Sequence, residues 1–247
     1  MTERNLGQKT ERCTAIVLAA GSGHRMGTDT RKQYLEVNGR PLFTYCLETF
    51  EQCDFITDIL LTVPDGDQEY CAETVKSLGL SGKVRAIAAG GRERCFSVHN
   101  SLQAINWPCD YVFIHDSARP FIDLPTMDRL HDAVREHKAC LAGVPVKDTI
   151  KIADQDGFIS YTPNRRDVWA VQTPQVFGFS MIRDAYTKMV EEYDALLEKG
   201  VTVTDDAMVA ELFTEYKVKL VMASYRNIKV TTPEDMITVE AYLGEKH

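Results

Sequence analysis

The apolar residues of this chain come in short blocks separated by amphipathic stretches, and that rhythm restricts the fold more than any other feature. The blocks "TAIVLAA", "ITDILLTV", "KVRAIAA", "DYVFIHD", "CLAGVPV" and "KVKLVMA" have the length of buried strands. Between them, "LFTYCLETFEQ", "SVHNSLQAI" and "TMDRLHDAVREHK" repeat apolar residues at three and four positions, the period of a helix with one buried face. Thr232 before Pro233-Glu234-Asp235 marks a further helix start, with a capping hydroxyl, a first-turn proline and two acids. Strands alternating with helices predict an α/β fold with a doubly wound, mostly parallel, Rossmann-like sheet. Ligands of such sheets bind beyond the carboxyl ends of the strands. Gly21, Gly91 and Asp116 all fall at or just after strand ends, so they can face one crevice. With 247 residues and 44% apolar content, the chain can bury a full core. The expected organisation is a flexible tail over 1–12 and a single domain over 13–247.

One section breaks the rhythm. From about 147 to 172, "KDTIKIADQDGFISYTPNRRDVWAVQ" carries no helical period. There "TIKIA" and "FISYT" flank the turn-forming "DQDG", which predicts a β-hairpin. Such an excursion has little core of its own. It is either a flap on its own subunit or an arm packed on a neighbouring one, and the residue pattern favours neither.

Charge and cysteine usage exclude several classes of function. The net charge is −8 and no basic run of the kind that tracks a nucleic-acid backbone is present. The seven cysteines are scattered without a C-x-x-C pair, as in a reduced intracellular protein and unlike a disulfide frame or a zinc site. No apolar stretch approaches the roughly 20 residues of a membrane span. The opening "MTERNLGQKTER" lacks the apolar core of a secretory signal, so a cytoplasmic location is expected.

The string "LAAGSGHRMG" after the first strand is a candidate phosphate loop. Backbone amides can approach an anion closely only where side chains are absent. A P-loop would need a second glycine and then Lys-Ser or Lys-Thr five residues after Gly21, where Met26 stands instead. A dinucleotide loop needs a third glycine at that same position. What remains is L-A-A-G-x-G-x-R-M followed by Lys-Gln, here Gly21, Gly23, Arg25, Met26, Lys32 and Gln33. Glycines with two nearby cations suit a triphosphate, and those cations can stabilise charge that builds on the phosphorus during displacement. At this point the chain resembles the nucleotidyltransferases that activate sugar and polyol phosphates. Asp116, ending "YVFIHD", places a carboxylate at the crevice where Mg²⁺ could share it with phosphate oxygens.

Further along come "AGGRERCFSV", "HDSARPF", "VPVKDTIK", "NRRDVWAVQTPQVF", "VTVTDDA" and "NIKVTTPED". Taken in this order with the glycine loop, they resemble the 2-C-methyl-D-erythritol 4-phosphate cytidylyltransferases of the non-mevalonate isoprenoid pathway, from Ala15 to about Leu243. The resemblance implies a sheet of the nucleotide-diphospho-sugar transferase type with a protruding β-hairpin arm. It implies Mg²⁺-dependent transfer of CMP from CTP, with release of pyrophosphate. It places CTP against Ala19, Ala20, Gly21, Ser22, Gly23, Gly91, Arg92, Ser97 and Ala118. Around the polyol phosphate it places Asp116, Arg119, Thr149, Arg165, Thr173, Thr204 and Lys229, and it makes Arg25, Lys32 and Lys229 catalytic. It also implies a homodimer, with Thr149 and Arg165 on an arm that reaches the partner's site.

Two positions depart from the family's pattern: Arg31 stands where relatives often have proline, and Arg92 where some carry an acid. His115 is expected to pack or hydrogen-bond locally, because a phosphate monoester is already ionised at neutral pH and needs no base. Asp205 and Asp206 are expected to be helix-start acids. The rival readings are a ribitol 5-phosphate cytidylyltransferase, which shares several of these strings, and a catalytically silent nucleotide- or partner-binding protein.

Overall fold

Every strand expected from the apolar blocks forms, and one unexpected strand joins them. The computed structural model describes residues 11–21 and 31–245, the side chain of Lys32 excepted. Its elements begin with β1 (Cys13–Leu18), a two-strand hairpin of β2 (Glu36–Val37) and β3 (Arg40–Pro41), and α1 (Phe43–Gln52). Then follow β4 (Ile56–Val63), α2 (Gln68–Ser77), β5 (Val84–Ala89), α3 (Arg94–Ala104), β6 (Tyr111–Asp116), α4 (Leu124–His137) and β7 (Ala139–Pro145). The second half adds β8 (Ile152–Ala153), β9 (Ile159–Tyr161), β10 (Trp169–Gly178), α5 (Phe179–Glu191), α6 (Tyr193–Glu198), α7 (Asp206–Phe213), β11 (Lys219–Met222) and α8 (Pro233–Gly244).

The seven-stranded sheet has the order β11-β7-β10-β6-β1-β4-β5. All its pairs are parallel except the two made by β10. Winding runs outward from β1 to β4 and β5, then crosses back to β6 on the other side of β1. The carboxyl ends of β1 and β6 therefore flank the point where the winding reverses, and Leu18 pairs directly with Asp116. Side chains of β1 alternate between faces as the pleat requires. Ala15 and Val17 join Phe43, Leu47, Phe50, Leu130 and Val134 of α1 and α4 in one core cluster. Ile16 joins Val98, Leu102, Ile182, Tyr186 and Val209 of α3, α5 and α7 in the other. Burying both faces of the sheet in this way is what a doubly wound fold does.

β10 corrects the expected extent of the hairpin excursion. Trp169 to Gln172 do not belong to it; they begin a strand that runs antiparallel between β6 and β7. Pro174 hid this strand, since proline is normally absent from the interior of a sheet. It is accommodated because the β7 register shifts between Val171 and Gln175, which frees the residues between them from the ladder. The hairpin itself is the ribbon β8–β9, a two-stranded sheet separate from the main one. Its turn is "DQDG", where Asp154 Oδ1 accepts from the amides of Asp156 and Phe158 and Gly157 takes φ +86°. Phe158, Ile159 and Tyr161 on it are 72%, 64% and 59% exposed.

At the amino end, Arg12 N donates to Asp110 Oδ2 at 2.9 Å, and the Glu11 carboxylate lies 3.1 Å from Arg135 on α4. At the other end, the Asp235 carboxylate accepts from the amides of Thr231 and Thr232, so the predicted acids do start α8.

Candidate active site

Asp116 ends β6 and is the centre of a charged cluster at the crevice. Its Oδ1 accepts from Arg94 Nε at 3.0 Å and its Oδ2 from Lys229 Nζ at 2.6 Å. Burial alone would push this carboxyl up, but Arg94 and then Lys229 overcome that and hold it well below the usual carboxylate range. It is therefore ionised at any pH at which the protein works. Lys229 reaches it from the segment before α8, 113 residues away in sequence.

The antiparallel run of β10 brings Thr173 alongside. Thr173 Oγ1 accepts from the Asp116 amide at 3.0 Å and donates to His115 Nδ1 at 3.1 Å, while His115 Nε2 donates to the Arg119 carbonyl at 3.0 Å. These partners assign the neutral tautomer of His115, and complete burial pushes its pKa down to about 4. With both nitrogens engaged, His115 is the local packing residue expected. The Arg119 guanidinium donates to the carbonyls of Asn227 (2.8 Å) and Val171 (3.3 Å), and among the described residues it forms no ion pair. Asn227, fully buried, fastens the bulge of β10 by donating to Gln172 Oε1 and Thr173 O, each at 2.9 Å. Ala118 accepts from the Val230 amide at 2.8 Å, which ties the turn after β6 to the strip carrying Lys229.

On the other side of the switch point lies a backbone cradle. Ala19 N donates to Thr62 O at 2.7 Å and Gly90 N to Val63 O at 2.8 Å, setting these two segments side by side. A Cβ on Gly90 would stand 2.4 Å from Ala20 Cβ, and one on Gly91 would stand 2.5 Å from Phe96 Cβ, so neither position admits a side chain. Ser97 Oγ accepts from the Gly91 amide at 2.9 Å and donates to Glu93 O at 3.0 Å. The Arg92 guanidinium rests over the Phe96 ring at 4.2 Å, with Tyr193 at 5.1 Å. Gln33 Nε2 donates to Gly21 O at 3.0 Å. Arg31 pairs with Asp67 at 2.5 Å.

Not all the predicted residues gather here. Ser22, Gly23 and Arg25, and the side chain of Lys32, lie outside the described residues. Arg165 is exposed at the base of the ribbon and donates to Lys147 O at 3.0 Å, and Thr149 is exposed near it. Thr204 is exposed just before α7 and contacts Met208 Sδ at 3.7 Å.

The two acids after Thr204 divide unequally. Asp205 caps α7, accepting from Met208 N at 3.0 Å, as expected of a helix-start acid. Asp206 is also a helix-start acid, the first residue of α7, but its fully buried carboxylate does more: it holds Arg94 Nη1 and Nη2 at 2.8 Å each, with the Tyr186 hydroxyl at 2.5 Å. The doublet "DD" before an apolar run was the available signal, since two adjacent acids cannot both occupy the cap. Nothing local in the sequence pairs Asp206 with Arg94, 112 residues away.

The site joins an ionised carboxylate, a guanidinium that meets no acid among the described residues and a backbone cradle with no room for side chains, which suits a nucleotide and a second phosphate. Comparison with known proteins agrees. Residues 13–245 match the IspD family model, 2-C-methyl-D-erythritol 4-phosphate cytidylyltransferase. A relative of that name from Lachnoclostridium phytofermentans is 43% identical across 95% of this chain and 97% of its own length. Another, from Alkaliphilus oremlandii, is 39% identical across 96% and 97%. Among solved structures, the 4-diphosphocytidyl-2C-methyl-D-erythritol synthase of Anaerococcus prevotii superposes with a TM-score of 0.82 at 33% identity, covering 95% of this chain and 96% of that one.

Proposed function

The chain belongs to the 2-C-methyl-D-erythritol 4-phosphate cytidylyltransferase family and is an enzyme that transfers a cytidylyl group from CTP to that polyol phosphate; from this premise we propose how its own residues divide the task. A phosphate oxygen of the polyol phosphate attacks the α-phosphorus of CTP in line. The new P–O bond forms as the bond to the β-phosphate breaks, and pyrophosphate leaves. No covalent enzyme intermediate and no protein base are needed, so positioning and electrostatics supply the catalysis. The observation that carries this reading is the ionised Asp116, gripped by Arg94 and Lys229 beside the Gly90–Gly91–Ser97 cradle.

Ala19, Ala20, Gly91 and Arg92 offer main-chain groups to cytosine, with Ser97 fixing the Gly91 amide. Gly21, Ser22, Gly23 and Ala118 complete the wall around the nucleotide. Arg25 and Lys32 counter the charge that builds on the α-phosphorus. Arg119, which has no acid partner among the described residues, takes phosphate together with Lys229, while Thr173 and Thr204 line the polyol side.

The donor set fits a divalent cation brought in by the nucleotide. Among the described residues no three His, Cys, Asp or Glu side chains form a metal cage. Mg²⁺ is commonly held by one or two carboxylates plus phosphate oxygens. Asp116 supplies the one carboxylate required, and Mg²⁺ bound there would neutralise phosphate charge.

The β8–β9 ribbon is the arm of a homodimer, carrying Thr149 and Arg165 into the partner's site. Its exposed Phe158, Ile159 and Tyr161 support this, since so much apolar surface on two short strands has no core of its own to join. The enzyme acts in the cytoplasm, consistent with seven free cysteines. Pyrophosphate release tests the reading. CTP with 2-C-methyl-D-erythritol 4-phosphate should give turnover and ribitol 5-phosphate should not; turnover with neither would refute it.

A further inference from the structure

Arg94 is held by acids on two sides. Asp206, wholly buried, takes both terminal nitrogens, and this leaves Nε–H as the donor to Asp116. A forked carboxylate pair fixes the plane of a guanidinium, and with it the direction of the remaining N–H. Tyr186, also fully buried, holds the Asp206 carboxylate from behind. None of this is needed to start α7, because Asp205 is its cap. Released from Asp206, the arginine could turn its own fork onto Asp116 and draw that carboxylate away from Lys229.

We propose that Asp206 is a positioning residue of the transfer reaction, one that acts through Arg94 to fix the orientation of Asp116 in the crevice. The inference rests on the placing of Asp116 in the active site. It assigns Asp206 no contact with either substrate.

Three variants and two readouts test it. Asp206→Asn weakens the fork at constant shape. Arg94→Lys keeps every charge but cannot reach two carboxylates with three coplanar nitrogens. Asp116→Asn checks the underlying reading. With folding verified by circular dichroism, the first two should lose about 10- to 100-fold in kcat, the order expected when a reacting geometry slips by about 1 Å. The KM for CTP should stay within about 3-fold, because the Gly91–Ser97 contact does not involve Asp206. In nitrogen-15 spectra the Arg94 Nε–H resonance, identified by its loss in Arg94→Lys, should be resolved in the parent protein and averaged in Asp206→Asn.

Folded Asp206→Asn with kcat within about 2-fold of the parent, or with an unchanged Arg94 resonance, would overturn the proposal. If Asp206→Asn does not fold, Arg94→Lys decides by turnover, and normal kcat overturns the proposal equally. Normal turnover in Asp116→Asn would fault the reading of Asp116, and the proposal with it. Collapse of Asp116→Asn beside a fully active Asp206→Asn would fault this inference alone.

Discussion

His115 provides a pH dependence of stability that can be worked out from its surroundings. The ring is buried at the end of β6, packed edge-on to Phe50 at 5.3 Å, and its two nitrogens are committed to Thr173 and Arg119 as a neutral imidazole. Burial is the main cause that lowers its pKa, to about 4 from an ordinary 6.5. An unfolded chain would thus bind a proton near pH 6.5 that the folded chain refuses until about pH 4. The stabilisation is complete above pH 6.5 and is lost as pH falls through that window. The loss from this group is about 2 kcal/mol at pH 5 and roughly 3 kcal/mol at pH 4. Carboxylates with lowered pKa, Asp116 above all, contribute losses only nearer pH 4 and below, so comparing pH 7 with pH 5 isolates the imidazoles. His131, stacked on Phe55 and also lowered by burial, adds a loss of the same sign. Urea denaturation at the two pH values, on the parent and on His115→Gln, measures the effect. The parent should lose about 2 kcal/mol more than the variant. Equal losses in the two proteins would show that His115 takes up its proton in the folded chain as readily as in the unfolded one, and the hydrogen-bond assignment would fall.

Gly91→Ala would set a methyl group 2.5 Å from Phe96 Cβ, against an ordinary contact of at least 3.4 Å. The backbone must yield by about 1 Å, so kcat/KM for CTP should fall by about 10²-fold, and a steady-state value near the parent's would contradict the cradle. Activity should disappear in EDTA and return with Mg²⁺; a full rate in metal-free buffer would remove the metal role given to Asp116. Mixing tests the crossing arm: Lys32→Ala and Arg165→Ala should each be nearly inactive alone. Co-expressed, about half the dimers are mixed and each has one intact site of two, so about a quarter of parental activity should return. No recovery in a purified mixed dimer would place the ribbon on its own subunit.

The fold class was legible because strand–helix alternation is a local pattern with a single common topological outcome. "TAIVLAA" and "YVFIHD" could be recognised one by one, and parallel pairing then placed their carboxyl ends together. Gly90, Gly91 and Ser97 were likewise readable, since seven residues of one turn and helix hold the contact between Gly91 and Ser97. Strand β10 was not, because Pro174 signals against a central strand unless the partner's register is known to shift there. Asp206 was not either. Its partner lies 112 residues away, and an acid at a helix start looks the same in sequence whether it faces water or a half-buried arginine. Local chemistry is written in neighbouring residues, whereas the grip of Asp206 on Arg94, and of Lys229 on Asp116, exists only once α3, α7 and the strip before α8 have packed around the end of β6.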